Sequence, residues 1–219
     1  MQRIILIWST CRPETMRETY AHWMRTADDI NRIVTKVSVD TEEEKALIPE
    51  FNIAIVGEKE CGSVKAINAI TATLEPGPDD IIIVVQDDVY PVNHCDTWVY
   101  EQFKEYRGCV MADDGLQYGG CITMPIMHAD CFHALNKIIN HPAYFHQFAD
   151  AELYENVTAL QMVKNLRNCS PLFEHRHWGI GKRKFDTGDC PQAKYRDRDI
   201  VTYQQRMLMP LSERLLEIM

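Results

Sequence analysis

A chain of 219 residues with net charge -9, 46% hydrophobic and 25% charged residues has room for one domain with a full core and a short C-terminal extension, not for two large domains. The balance excludes a disordered chain, and the negative charge excludes a protein that grips nucleic acid over its whole surface. No stretch approaches the ~18 consecutive apolar residues of a membrane-spanning helix.

Met1-Gln2-Arg3 and the short apolar run after it lack the length and small-residue cleavage site of a signal peptide. A soluble, cytoplasmic protein without membrane contact is therefore expected. Eight cysteines, none in a C-x-x-C pair, read as reduced thiols. Cys61, Cys109, Cys121 and Cys131 sit beside apolar or small neighbours and are expected to pack as small hydrophobes.

The β-branched run Ile4 to Trp8 predicts a first strand, and Pro13 opens an amphipathic helix carrying Met16, Tyr20, Trp23 and Met24. Ile33 to Val39 predicts a second strand ending at Asp40, with Thr41 and Glu44 forming the capping box of a short helix. Ile53 to Val56 predicts a third strand, and a helix over 64–74 follows with Ser63 as N-cap. After the turn cluster Pro76 to Asp80, the unbroken apolar run Ile81 to Val85 predicts a strand buried on both faces.

Strands alternating with helices imply a mostly parallel, Rossmann-like sheet with ligands beyond the carboxyl ends of its strands. Function is accordingly sought at Ser9 to Arg12, Asp40, Gly57 to Ser63 and Gln86 to Tyr90. Beyond Tyr90 the pattern predicts a helix over 96–106, a strand near Cys109 to Ala112, an added strand in Gly119 to Met127, and a helix over 150–166 with Ala151, Tyr154, Val157, Leu160 and Val163 on one face. Ile200 to Met219 reads as an amphipathic helix interrupted by Pro210.

Asp87 and Asp88 close the most buried strand, and adjacent carboxylates there repel unless a cation or hydrogen-bond donors compensate them. Mg²⁺ or Mn²⁺ would do so, held by one or two carboxylates and the substrate's phosphates; the bland alternative is that both acids cap a following helix. His175 and His177 alternate on an extended segment and so can face one way, a pair that would join carboxylates on Mn²⁺; packing of the pair beside Trp178 is the bland alternative. Gly179, Gly181 and Lys182 then suggest a phosphate-facing loop, though neither a Walker A nor a G-x-G-x-x-G sequence occurs.

Asp150 and Glu152 follow the aromatic stretch Tyr144 to Phe148, where a carboxylate of raised pKa would serve as general base; complementing a helix N-terminus is the plainer reading. His128, Cys131, His133, His141 and His146 match no zinc spacing. From Arg176 to Arg198, seven basic residues face three acidic ones, +4 against -13 for the remainder, a basic lobe suited to a polyanion.

Together these residues resemble the GT-A-type nucleotide-diphospho-sugar transferases, in particular the large inverting family whose first strand ends in Ser/Thr-x-Arg-Pro, here Ser9-Thr10-Cys11-Arg12-Pro13. The resemblance runs from about Ile4 to Asp186 through several weak motifs in the right order. It implies a GT-A domain over 1–186, a mostly parallel sheet flanked by helices with a small added acceptor-side sheet, and a C-terminal basic, amphipathic extension over 187–219 packed on it. It also implies a nucleotide-sugar site at Thr10, Arg12, Asp40, Lys65, Asn68, Asp87 and Lys182, with Arg183 closing beside Lys182. The implied Mn²⁺ or Mg²⁺ site lies at Asp88 with His175 or His177, and the implied base is Asp150 or Glu152. Val89 departs from the family, where many members have a third Asp.

The implied activity is inverting transfer of a hexose from a nucleotide diphosphate sugar, with UDP as the expected nucleotide, to a hydroxyl. Similarity to phage-encoded transferases of the host cytoplasm makes 5-hydroxymethylcytosine in duplex DNA one acceptor, reached through segment 176–198. A saccharide, lipid or protein hydroxyl is the alternative. A nucleotidyltransferase and a non-catalytic nucleotide-binding domain are the competing classes.

Overall fold

The computed structural model describes residues 2–55, 61–115, 119–168, 173–177, 181–182, 184 and 190–216. In chain order the elements are β1 (Ile4–Ser9), α1 (Pro13–Thr26), β2 (Ile33–Val39), α2 (Glu42–Leu47), β3 (Ile53–Ile55), α3 (Ser63–Thr71), β4 (Ile81–Val85), β5 (Val89–Pro91), α4 (Cys95–Gln102), β6 (Cys109–Met111), β7 (Pro125–His128), α5 (Ala129–Ala134), α6 (Ala149–Ala159), β8 (Val163–Asn165), β9 (Phe173–His175), α7 (Cys190–Met207) and α8 (Leu211–Leu216). Seven strands form one sheet in the order β3-β2-β1-β4-β7-β6-β8, and β5 pairs with β9 in a second, two-stranded sheet.

The period of two along the central strands explains why their sequences are apolar throughout. Ile4, Leu6 and Trp8 of β1 and Ile81, Ile83 and Val85 of β4 pack with Met16 and Trp23 of α1 and Val99 of α4. Ile5, Ile7, Ile82 and Val84 point to the other face, against Ile67 and Ile70 of α3, Phe132 of α5 and Leu153 and Val157 of α6. Both faces are covered by helices, so neither strand has a polar side.

β2, β1 and β4 are mutually parallel, with Ser9 opposite Ser38 and Trp8 opposite Val85. Their carboxyl ends therefore fall on one edge, which carries Thr10, Asp40 and Gln86 to Asp88. β7 runs antiparallel to both β4 and β6, while β8 is parallel to β6, so the sheet is mixed on the side added after Tyr90.

Several local expectations need correction. The predicted helix 150–166 stops at Ala159: Gln161 takes a left-handed φ of 57°, the Met162 amide returns to the Val157 carbonyl, and Val163 pairs with Cys109 in the sheet. Its buried face is Ala149, Glu152, Leu153, Asn156 and Val157, because packing on the sheet outweighed the stripe read from the sequence. Ser63 is the first residue of α3 rather than its cap; Gly62 precedes it at φ 86°.

The helix expected to end at 106 ends at Gln102, and in Gly119 to Met127 only Pro125 onward is strand. Asp87 and Asp88 cap no helix, since β5 follows them directly. Val56, the loop Gly57 to Glu60, Trp178, Gly179, Arg183 and the division after 186 lie outside the described residues. No described helix is long and apolar enough to cross a membrane, and Cys11, Cys61, Cys95, Cys109, Cys121 and Cys131 are free thiols.

Candidate active site

At the carboxyl edge of the sheet, the Thr10 hydroxyl donates to Asp87 Oδ2 at 2.8 Å and accepts from the Arg12 amide at 2.9 Å. Arg12 Nε stands 3.5 Å from the same Oδ2. The Asp87 carbonyl takes the Thr19 hydroxyl of α1, and Asp87 Oδ1 is buried without a hydrogen-bond partner among the described residues. Burial pushes the Asp87 carboxyl up to about 7, against the opposing pull of Arg12 and Thr10.

Asp88, also buried, turns to the small sheet. Val89 pairs with His175, which sets His175 Nε2 3.4 Å from Asp88 Oδ1 and Nδ1 3.2 Å from Asp114 Oδ2. Backbone bonds from the His175 amide to the Asp114 carbonyl and from the Arg176 amide to the Asp88 carbonyl fix the arrangement. Asp114 Oδ2 also accepts the Thr123 hydroxyl at 2.8 Å. Burial lowers the His175 pKa, but the two flanking carboxylates outweigh it and the net shift is upward. His177 meets the His175 ring edge-on at 5.2 Å between centroids.

Asp114 was missed from the sequence although a signal existed: Asp113-Asp114 follows strand β6 as Asp87-Asp88 follows β4.

Among the described residues no group of three or more His, Cys, Asp or Glu side chains is set to hold a metal ion. Two donors do fit one. Cis ligands each ~2.1 Å from an ion lie about 3 Å apart, close to the 3.4 Å between Asp88 Oδ1 and His175 Nε2. A carboxylate oxygen with an imidazole nitrogen suits Mn²⁺ or Mg²⁺, whose remaining positions are commonly filled by phosphate oxygens and water.

Asp40 is buried at the end of β2, its Oδ1 accepting the Cys61 thiol at 3.3 Å and its amide donating to Glu44 at 2.8 Å. Lys65 lies exposed on α3. Asn68, also on α3, donates its amide to the Asn140 carbonyl at 3.0 Å. Lys182 is exposed, its backbone amide bonded to the His177 carbonyl at 3.3 Å.

Asp150 and Glu152 part company in the first turn of α6. The Asp150 carbonyl accepts the Ile122 amide, next to Thr123, whose carbonyl takes Gln86 Nε2 at 2.8 Å; residues 121–123 thus bridge Asp150 to the Asp114–His175–Asp88 row. Burial raises the Asp150 pKa, partly countered by backbone amides and the Cys121 thiol. Glu152 instead accepts Arg206 Nε and Nη2, each at 2.8 Å, and the Tyr144 hydroxyl at 2.7 Å. Burial alone would raise its pKa, but Arg206 and Tyr144 bring it below the usual value. Glu152, expected beside Asp150 as a candidate base, is therefore half of a buried ion pair whose partner lies 54 residues away.

No protein-family model matches the chain, and no curated protein matches its sequence. Solved structures do. S. aureus TarS 1-349 in complex with UDP-GlcNAc is 13% identical with a TM-score of 0.61, over 79% of this chain and 58% of that one. The mannosyltransferase PcManGT from Pyrobaculum calidifontis, in complex with GDP-Man and Mn²⁺, is 11% identical with a TM-score of 0.61, over 94% and 64%. M. tuberculosis glucosyl-3-phosphoglycerate synthase is 13% identical with a TM-score of 0.61, over 95% and 82%. The chain spans about 60% of the length of TarS 1-349. At these identities the likeness establishes the fold, the GT-A arrangement of a largely parallel sheet between helices with a small antiparallel sheet beside it.

Proposed function

We propose that the chain is a metal-dependent, inverting glycosyltransferase that moves a hexose from a nucleoside diphosphate sugar, with UDP as the nucleotide, to a hydroxyl acceptor. One observation carries the reading. At the strand edge of a GT-A sheet, a buried aspartate pair meets a histidine held between Asp88 and Asp114, with a further, desolvated carboxylate at Asp150 linked through 121–123. A carboxylate of raised pKa beside such a row is what deprotonation of an acceptor hydroxyl calls for, which favours turnover over a nucleotide-binding module. The ligands named for the similar structures, UDP-GlcNAc, and GDP-Man with Mn²⁺, agree with it.

Asp88 and His175 would hold Mn²⁺ or Mg²⁺, which when bound neutralises charge on the diphosphate. Arg12, fixed by Thr10 and Asp87, and Lys182 at the rim attract the same anionic oxygens. Asp40 faces the base, and Lys65 lines the donor side. Asp150 takes the proton of the acceptor hydroxyl, and attack from the face opposite the leaving group inverts the anomeric centre. The segment 1–186 carries this chemistry, and 187–219 braces it. Free thiols agree with a cytoplasmic setting.

The test is turnover of a panel of nucleotide sugars with Mn²⁺ or Mg²⁺, read as nucleoside diphosphate release. Release that needs the metal and is lost in Asp88→Ala supports the reading; no binding of any nucleotide sugar overturns it.

For the acceptor, the +4 segment 176–198, with Arg196 and Arg198 exposed on α7, favours 5-hydroxymethylcytosine in duplex DNA over a saccharide, lipid or protein hydroxyl. A sugar-sized mass gain on such DNA, with binding that weakens steeply as salt rises, supports it. Salt-insensitive transfer to a small neutral acceptor refutes it.

A further inference from the structure

We propose, resting on the transferase reading above, that Asp199 of α7 is a positioning residue: it locks the turn 145–148 and so fixes Asp150 at the start of α6.

Asp199 is fully buried, yet among the described residues no Lys or Arg side chain pairs with it. Its carboxylate accepts three successive backbone amides, Phe145 at 2.9 Å on Oδ1, and His146 at 2.8 Å and Gln147 at 2.9 Å on Oδ2. A charge without water persists only because such donors replace its hydration, so the three amides and the carboxylate form one unit that cannot slide without exposing unpaired groups. α7 adds two rings to the grip. Tyr195 stacks on Phe145 at 3.6 Å between centroids, and Tyr203 on Phe148 at 5.7 Å. Tyr195, Asp199 and Tyr203 recur at intervals of four on one helix face, and Arg206 extends that face to Glu152.

From the other side the turn rests on α3. The Val64 amide donates to the Phe145 carbonyl at 3.4 Å, Ser63 Oγ lies 2.7 Å from His146 Nδ1, and a Cβ on Gly62 would come within 2.3 Å of the Phe145 oxygen. α3 in turn packs on β1 and β2, so it is anchored to the sheet without the turn. Phe148, the last residue of the turn, adopts φ 64° and α6 begins, with Asp150 as its second residue. Two residues of chain, Phe148 and Ala149, separate the three amides that Asp199 holds from the candidate base. A release of the clamp therefore displaces Asp150 before it disturbs the strand edge that holds Thr10, Asp87 and Asp88.

The experiment compares Asp199→Asn with the unaltered full-length chain. Asparagine keeps the shape but turns one amide nitrogen toward the backbone N–H groups. Four quantities are measured with Mn²⁺ and the nucleotide sugar that the wild type turns over: kcat for transfer, donor KM, acceptor-independent hydrolysis of the donor, and Tm. A misplacement of about 1 Å costs ~10²-fold in rate. Transfer kcat should thus fall roughly 10- to 100-fold while donor KM and hydrolysis stay within about threefold. Phe103→Leu, in the core on the opposite face of the sheet, serves as a variant of lowered Tm and should transfer at the wild-type rate.

If Asp199→Asn does not fold, Tyr203→Leu, which removes only a ring from the same grip, should show the same split at several-fold size. Unchanged transfer in either folded variant, or an equal loss of transfer and hydrolysis, overturns the positioning role. A wild type that turns over no nucleotide sugar overturns the transferase reading, and this inference with it.

Discussion

Replacing Arg206 with methionine tests how the first turn of α6 is held. The side chains of Glu152 and Arg206 are 3% and 5% exposed, and the guanidinium forks onto both carboxylate oxygens at 2.8 Å while also reaching the Arg214 carbonyl at 3.0 Å. Without it, a buried carboxylate keeps, among the described residues, a single hydrogen-bond donor, the Tyr144 hydroxyl. Breaking a buried pair from one side costs about 3–5 kcal/mol, and in a chain of this size each kcal/mol lowers Tm by about 2–4 °C. Arg206→Met should therefore melt about 10 °C below the wild type at neutral pH by calorimetry.

The pH dependence gives a second reading. In the wild type the Glu152 carboxyl is depressed, so its stabilising contribution is complete above the unfolded value of about 4.3 and is lost as pH falls through the folded value. In the variant, burial remains without the cation and the shift reverses, so the penalty shrinks as acid protonates Glu152. Adding Glu152→Gln should recover most of the lost Tm, because the two sites form one unit. A Tm loss under about 2 °C, or a loss that Glu152→Gln does not relieve, would overturn this account of the ion pair.

Asp88→Ala should weaken Mn²⁺ binding by calorimetry at least tenfold in the presence of a nucleoside diphosphate and abolish metal-dependent transfer, since His175 alone is left of the two donors. Asp150→Asn should lower kcat by roughly 10²–10⁴, the usual worth of a general base, whereas Glu152→Gln should leave the rate per folded molecule within tenfold. Because burial raises the Asp150 pKa, its base form is lost at a higher pH than for an ordinary aspartate near 3.9, and the rate should climb with pH through that raised value. Gly62→Ala should destabilise by about 1–3 kcal/mol in thermal unfolding, since φ 86° and a Cβ 2.3 Å from the Phe145 oxygen force the 145–147 turn off α3.

The boundaries of β1, β2 and β4, the start of α1 at Pro13 and the capping box of Thr41 and Glu44 were all legible, because each is written in residues a few positions apart: an unbroken apolar run or an alternation, a proline at the first turn, an acid three residues after a threonine. Since parallel strands carry their ligands at the carboxyl ends, those boundaries alone named Thr10, Asp40, Asp87 and Asp88 as neighbours. Composition and periodicity thus determined the fold class and the edge on which the candidate site lies.

The partners of that edge were decided elsewhere. Asp114 reaches His175 across 61 positions, Arg206 reaches Glu152 across 54, and Asp199 reaches the 145–147 amides across about as many. No local pattern encodes such a pairing, because it exists only once the sheet has brought the segments together. The same holds for α6, whose helical stripe continued in sequence to Val163 but yielded to the vacant edge of β6, where backbone hydrogen bonds from Cys109 and Leu166 were there to be made. Local patterns name the acids that line the strand ends. Which of the chain's acids stands beside a histidine, which is buried against an arginine and which is desolvated at a helix start emerges only from the folded chain, because desolvation and charge pairing depend on neighbours that are distant in sequence.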